Sequence, residues 1–391
     1  MADPVSASDP RFATRKRQPG LDLLRALAII LVVLYHAGLF GFPLPGNLQR
    51  FGWIGVDLFF VLSGYLIGGQ LLAAQQRGAR PELRRFFRRR ALRILPAYLV
   101  VLLIYFTLPA LREYEAIPPA WKFVLFVQNL GLRGGTAFSH AWSLCVEAQF
   151  YLLLPFVLLG IARFRRGGFM IAGFLLLGGL LLRAGLAYSL SPDGATVPFR
   201  GFQPLIYYAT WTRLDPLTCG VALAAIRQSR THWWLRLVQW APWLWVVALG
   251  LIGFALHLGE TERLTITAAI WQFPLLALGL GMLLVCALSP RLLVSRLAVP
   301  GAAFFASIAY SVYLSHKLVI HAVANFCVAH TIAPTSAAGL LLVMVAITAA
   351  GVALFLAVER PFLRYRQRSA PPLMKPAPLG NTRAEPTSKP S

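Results

Sequence analysis

A chain of 391 residues, 58% of them hydrophobic and only 13% charged, is too apolar for a soluble enzyme and reads as a polytopic membrane protein. Its formal net charge of +23 raises nucleic-acid binding as a class, but the basic residues gather in short loops between apolar segments, which is the pattern of membrane topology. Cys145, Cys219, Cys286 and Cys327 are scattered without CxxC spacing, so neither a disulfide framework nor a metal site is expected.

Residues 1–20 are polar and basic, carry Arg15-Lys16-Arg17, and read as a flexible cytoplasmic arm. Leu21 to Phe40 is an apolar run of about 20 residues, enough to cross a hydrocarbon core roughly 30 Å thick. It nevertheless carries Arg25 and His36, and ionisable groups inside a span are costly enough to suggest a task. On a helix, eleven residues make three turns plus about 20°, so both side chains leave one face, separated by roughly 16 Å of rise. An arginine that snorkels to the surface and a histidine bonded to a neighbouring helix is the plainer alternative. A second span over 51–74 contains Asp57 near its outer end, and eight arginines follow between positions 77 and 93.

Further spans are expected at about 94–110, 141–162, 168–190, 204–226, 237–256, 265–288, 298–324 and 337–358. The fold is therefore all-α, an integral membrane protein with about ten transmembrane helices. The segment 120–130 is too short to cross and reads as interfacial or re-entrant. With both termini in the cytoplasm, 27 of the 37 Lys and Arg fall in cytoplasmic segments, six outside and four within spans. Residues 21–366 form the expected transmembrane domain, and the Pro- and Ser-rich stretch 367–391 is an expected disordered cytoplasmic tail.

Polar clusters inside the later spans carry the chemistry. His140 to Pro155 (HAWSLCVEAQFYLLLP) places Glu147 about two turns into a span, where a carboxylate must pair or protonate; both fates suit an acid/base or hydroxyl-binding role. Tyr207 to Asp215 is a polar band in which Arg213 and Asp215, two apart, serve different neighbours. Tyr313 and His316, three apart, share a face of the ninth span. Arg90 and Arg93 stand at the mouth of the third span, where guanidinium groups suit phosphate; lipid headgroups are the plainer ligand. No GxxxxGK[ST] loop is present, which argues against a nucleotide motor.

Together these motifs resemble the membrane-bound acyltransferase 3 family. An Arg, ten residues and a His fall on Arg25 and His36. FGWIGVDLFFVLSGYLI spans 51–67, Arg90 and Arg93 match an arginine pair, W-S-L-x-V-E falls on Trp142 to Glu147, Tyr-Leu-x-His on Tyr313 to His316, and E-R-P-F on Glu359 to Phe362. The resemblance covers 21 to about 366 and is to the stand-alone kind, without a fused extracytoplasmic hydrolase-like domain; it leaves a separate extracytoplasmic transfer partner open. It implies transfer of an acyl group, usually acetyl, from cytoplasmic acyl-CoA to a hydroxyl of a sugar in a cell-surface or exported glycan, at the inner (plasma) membrane. Exopolysaccharide, lipopolysaccharide and peptidoglycan sugars all fit, and no metal is implied.

On this reading Arg25, Arg90 and Arg93 meet the phosphates of CoA. His36 acts as general base or takes the acyl group itself, and Asp57 or Glu147 orients its imidazole. His316 is a further catalytic candidate, and Arg213 and Tyr313 are candidates for holding the acceptor. The alternative from another class is a proton-coupled transporter or flippase of lipid-linked sugars. It would use the same ionisable groups as a relay and would show discontinuous helices and internal symmetry.

Overall fold

The computed structural model describes residues 18–44, 49–76, 82–163, 167–259 and 264–368. Arg15-Lys16-Arg17, Arg77, Arg80 and the tail beyond Arg368 lie outside them. Helices dominate, and nine helical segments among the described residues are long and apolar enough to cross a membrane.

Helix α1 (Pro19–Leu39) starts on a proline whose fixed φ and missing N–H suit a first turn. It is followed by α2 (Ile54–Gln76) and by α3 (Leu83–Thr107), whose first turns carry the arginines. Helix α4 (Ala120–Val124) is only five residues long, in keeping with a segment too short to cross. Two long helices come next, α5 (Trp142–Arg163) and α6 (Gly167–Leu190). After the short α7 (Phe199–Phe202) the chain runs through α8 (Asp215–Ser229), the surface helix α9 (Thr231–Gln239), α10 (Ala241–Leu258), α11 (Ile266–Leu288) and α12 (Ala302–Ala329). Helix α13 (Ala337–Leu354) passes through a π turn at Phe355–Glu359 into α14 (Arg360–Arg368).

Packing sorts these helices into inner and outer ones. Helix α2 lies along α8 and α1, α1 packs on α12, and α11 on α10. Gly64 and Gly220 let α2 and α8 touch backbone to backbone. A Cβ on Gly64 would stand 2.1 Å from the Leu217 carbonyl oxygen, and one on Gly220 2.2 Å from that of Val61. Small residues at such a crossing replace the hydrophobic driving force that lipid does not supply. Helix α6 is an outer helix, with Met170, Phe174, Leu177 and Leu181 exposed along the face that lipid would cover.

The stretch expected as one span over 204–226 is broken instead. A π turn covers Gln203–Tyr207, a 3-10 turn Thr210–Thr212, and a regular helix resumes only at Asp215. Two prolines explain where: Pro204 and Pro216 lack the N–H that would continue a helix through them. Side chains satisfy the freed backbone groups. Thr212 Oγ1 donates to the carbonyls of Ile206 (2.7 Å) and Ala209 (2.9 Å), Asn129 Nδ2 to that of Tyr208 (3.0 Å), and Arg183 Nη1 to that of Thr212 (2.7 Å). Irregular backbone at membrane depth is tolerated only when protein supplies such partners.

Candidate active site

Two cavities enter the bundle from opposite ends. At the end where α1 begins, one of about 940 Å³ is lined by Arg25, Arg90, Arg93, Glu147, Tyr151 and Glu359. At the other end, one of about 1480 Å³ is lined by His36, Trp53, Trp142, Tyr207, Phe273 and Lys317. Val56 and Tyr313 line both, so they form the partition where the cavities meet. Arg25 and His36 thus belong to opposite cavities on one helix, as their spacing requires.

His36 lines the larger cavity and packs on His316, which shares a helix with Tyr313. Its Nδ1 lies 2.9 Å from the Val32 carbonyl oxygen and 3.2 Å from His316 Nε2. A carbonyl only accepts, so Nδ1 carries the proton and Nε2 keeps its lone pair. By the same logic His316 donates from Nδ1 to the Tyr313 carbonyl (2.7 Å), which leaves its Nε2 to accept from His36. His140 donates from Nε2 to the Leu314 carbonyl at 3.3 Å, and its Nδ1 is buried with no partner among the described residues. The three rings touch, with His316 4.8 Å from both His36 and His140 between centroids. His316 and His140 are buried while His36 is half-buried and faces the larger cavity, so His36 is the imidazole of the three best placed to meet a substrate.

The surroundings hold this cluster still. Tyr313 Oη donates to the His140 carbonyl (2.7 Å) and lies 2.6 Å from Ser143 Oγ, whose hydroxyl donates to it. Lys317, one residue past His316, pairs with Glu113 at 2.8 Å and donates to Ser139 Oγ at 3.0 Å. Glu113 Oε1 also accepts from the Phe138 N–H at 3.1 Å. Phe138 has φ of 54°, a strained value for a residue with a Cβ, and stacks on Tyr105 with 4.4 Å between centroids. That kink delivers His140 into the cluster.

Neither carboxylate expected to orient His36 does so. Asp57 is engaged by Arg213, whose Nη2 lies 2.9 Å from both its oxygens, because a buried carboxylate is best satisfied by a buried guanidinium. Glu147 lies in the smaller cavity and accepts from Ser63 Oγ at 2.6 Å. The partner of His36 Nδ1 is instead a neutral imidazole.

Arg213, expected to hold the acceptor, is fully buried and does not line either cavity. Its guanidinium lies behind the wall of the larger one, 3.8 Å from the Phe273 ring centre, 5.0 Å from Tyr207 and 5.5 Å from Trp142. Asp215 serves a different neighbour, as its spacing from Arg213 requires: Arg183 reaches it with a two-pronged bond of 2.6 and 3.0 Å. Tyr313, the other residue expected to hold the acceptor, lines both cavities but is buried, its hydroxyl already engaged by the His140 carbonyl and Ser143.

Arg25, Arg90 and Arg93 line one cavity, the smaller of the two. Arg90 Nη2 donates to Gln70 Oε1 at 2.9 Å, and its Nε is buried with no hydrogen-bond partner among the described residues. Arg25 is 4.0 Å from Asp22 at the cavity edge. Arg85, Arg89 and Arg366 line the same cavity, which concentrates positive charge in one cleft.

A family profile described as an acyltransferase domain matches residues 18–359. The chain belongs to the acyltransferase 3 family. It is 32% identical over 230 residues to the peptidoglycan O-acetyltransferase OatA of Listeria monocytogenes, covering 54% of this chain and 34% of the relative. It is also 32% identical over 224 residues to the O-acetyltransferase OatA of Staphylococcus aureus strain NCTC 8325, covering 53% and 34%. The chain thus spans about a third of the length of the curated relatives it matches. No solved structure matches it.

Several parts of this candidate site were not singled out from sequence. His140 stands two residues before the W-S-L-x-V-E motif, and only the fold brings it against His316. The Glu113 to Lys317 pair had a signal: a lysine in mid-span demands a partner. The aromatic wall had none, because its members come from four separate elements.

Proposed function

We propose that the protein is a membrane O-acetyltransferase that takes acetyl from acyl-CoA in the cytoplasm and delivers it to a hydroxyl of a glycan on the other side. The observation that carries this reading is the pair of opposed cavities that share Val56 and Tyr313, with His36 lining the larger one. One is rich in arginine, the other in aromatic rings. Arg90 and Arg93 hold the phosphates of CoA, where guanidinium geometry matches phosphate oxygens. Its pantetheine arm, roughly 15–20 Å long, matches the rise of roughly 16 Å from Arg25 to His36 and carries the thioester to the partition.

There, His36 Nε2 accepts the proton of the acceptor hydroxyl as its oxygen attacks the thioester carbonyl. The C–S bond breaks and the proton passes to the departing thiolate. In the covalent variant Nε2 attacks first and the C–S bond breaks to expel the thiolate; the acceptor oxygen then displaces the neutral imidazole, and the hydroxyl proton ends on the thiolate. His316 is a positioning residue in both, because its Nε2 accepts from Nδ1 beside the Val32 carbonyl and steadies the ring as it takes on charge. Glu147, in the smaller cavity with Ser63, contacts the donor side.

His36→Ala tests the reading. Transfer in purified protein falls about 10²–10⁴-fold while CoA binding is retained. Incubation with labelled acetyl-CoA and no acceptor separates the routes, because only the covalent one leaves label on His36. Near-normal turnover in His36→Ala refutes the mechanism. A lipid-linked-sugar transporter is favoured by one observation, the discontinuous helix at 203–214. Consumption of acetyl-CoA by the purified protein, which a transporter does not show, decides between them.

A further inference from the structure

The larger cavity carries information about the acceptor that the catalytic cluster does not. No carboxylate lines it among the described residues. Four cationic residues do: Arg50, Arg133, Arg200 and Lys317. Lys317 is paired with Glu113 at 2.8 Å, which leaves three arginines as the other basic side chains of the rim. They are exposed and come from three separate segments: the turn before α2, the loop after α4, and α7. Asp193, in the loop that brings Thr196 to the same cavity, turns its oxygens onto its own segment: they accept from Ser191, Ala195 and Thr196 at 2.6–2.9 Å.

This placement runs against the trend expected of the chain. On the topology expected from sequence most basic residues lie on the opposite face, and of the six expected on this side three line this one cavity. The interior beneath them is aromatic. Trp53, Tyr207 and Phe273 form a mutual cluster with centroids 6.2–6.5 Å apart, and Trp142 lies 5.1 Å from Tyr207. Ring faces carry partial negative charge and attract the weakly positive C–H faces of a sugar ring. Guanidinium groups match carboxylate and phosphate oxygens. A mouth of one sign set on low-dielectric walls also focuses the field and raises the local concentration of counter-charged substrate.

Resting on the transferase reading above, we propose that the acceptor is an anionic carbohydrate, its sugar ring against the aromatic wall and a carboxylate or phosphate at Arg133 and Arg200. The charged group stays at the rim while the hydroxyl to be acylated reaches His36.

The test uses the full chain in nanodiscs of phosphatidylcholine, which has no net charge. Probes are maltotriose, maltotriose oxidised at C6 to the uronate, and maltotriose 6-phosphate, read by quenching of tryptophan fluorescence. At 10 mM salt one or both anionic forms bind at least tenfold more tightly than maltotriose, and the advantage shrinks at 150 mM, where charges are screened beyond about 8 Å. The stronger of the two identifies the anion. Arg133→Gln with Arg200→Gln removes most of the advantage; both side chains are exposed, and an unchanged size-exclusion profile checks the fold. Equal binding of all three probes, absence of binding, or an advantage that survives the double substitution overturns the proposal. Acetyl-CoA consumption by the same preparation reports separately on catalysis: turnover without anion preference refutes this inference alone, and anion preference without turnover refutes the transferase reading alone.

Discussion

Replacing His316 discriminates between a positioning imidazole and a second catalytic base. His316 Nε2 accepts from His36 Nδ1 at 3.2 Å and is completely buried, so His316→Ala removes an acceptor without opening a route to the substrate. The Val32 carbonyl still holds the Nδ1 proton at 2.9 Å, so the tautomer survives. What is lost is one hydrogen bond to an imidazole that becomes charged as it takes the substrate proton. Hydrogen bonds to charged groups contribute about 1.5–3 kcal/mol. At about 1.4 kcal/mol per tenfold, kcat falls roughly ten- to hundredfold, with little change in KM for either substrate. His316→Gln, which offers a carbonyl acceptor, recovers part of the loss. Steady-state transfer with the donor and acceptor varied in turn measures both effects. A loss below about twofold shows that the contact does nothing for catalysis, and a loss equal to that of His36→Ala shows that His316 is itself a reacting group.

The other expectations concern donor binding, packing and topology. Arg90→Ala or Arg93→Ala weakens acyl-CoA binding by about 1.5–3 kcal/mol, with partial rescue by Lys, which cannot make the forked contact; unchanged affinity in the double variant assigns the cluster to lipid. Asp57→Ala strands the buried Arg213 charge and costs about 3–5 kcal/mol of stability, measured by denaturation in mixed micelles, and Arg213→Met in the same chain recovers much of it. A destabilisation no greater than a surface substitution's refutes the pairing. Reporter fusions after Arg90 and after Lys389 both score as cytoplasmic, and an extracytoplasmic signal from either refutes the topology.

Much of this protein is legible in its sequence because a bilayer imposes strong local rules. Apolar runs of fixed length mark the helices, loop arginines suggest their orientation, and helical geometry alone puts Arg25 and His36 on one face of α1, opening to opposite cavities. The same rules misread 204–226, where composition looks like a span but Pro204 and Pro216 interrupt it, and where Thr212 from within the segment and Arg183 and Asn129 from distant positions satisfy the backbone. Pairing is the other thing a linear pattern cannot supply. Arg213 could have served Glu147, a substrate or Asp57, and its choice of Asp57 follows only from how α2 and α8 pack through Gly64 and Gly220. His36 likewise needs a partner on its Nδ1 side. The sequence offered two carboxylates, while the packing of α1 on α12 supplied His316, because contacts between helices depend on their rotation and crossing, and no residue pattern along one helix encodes its neighbour.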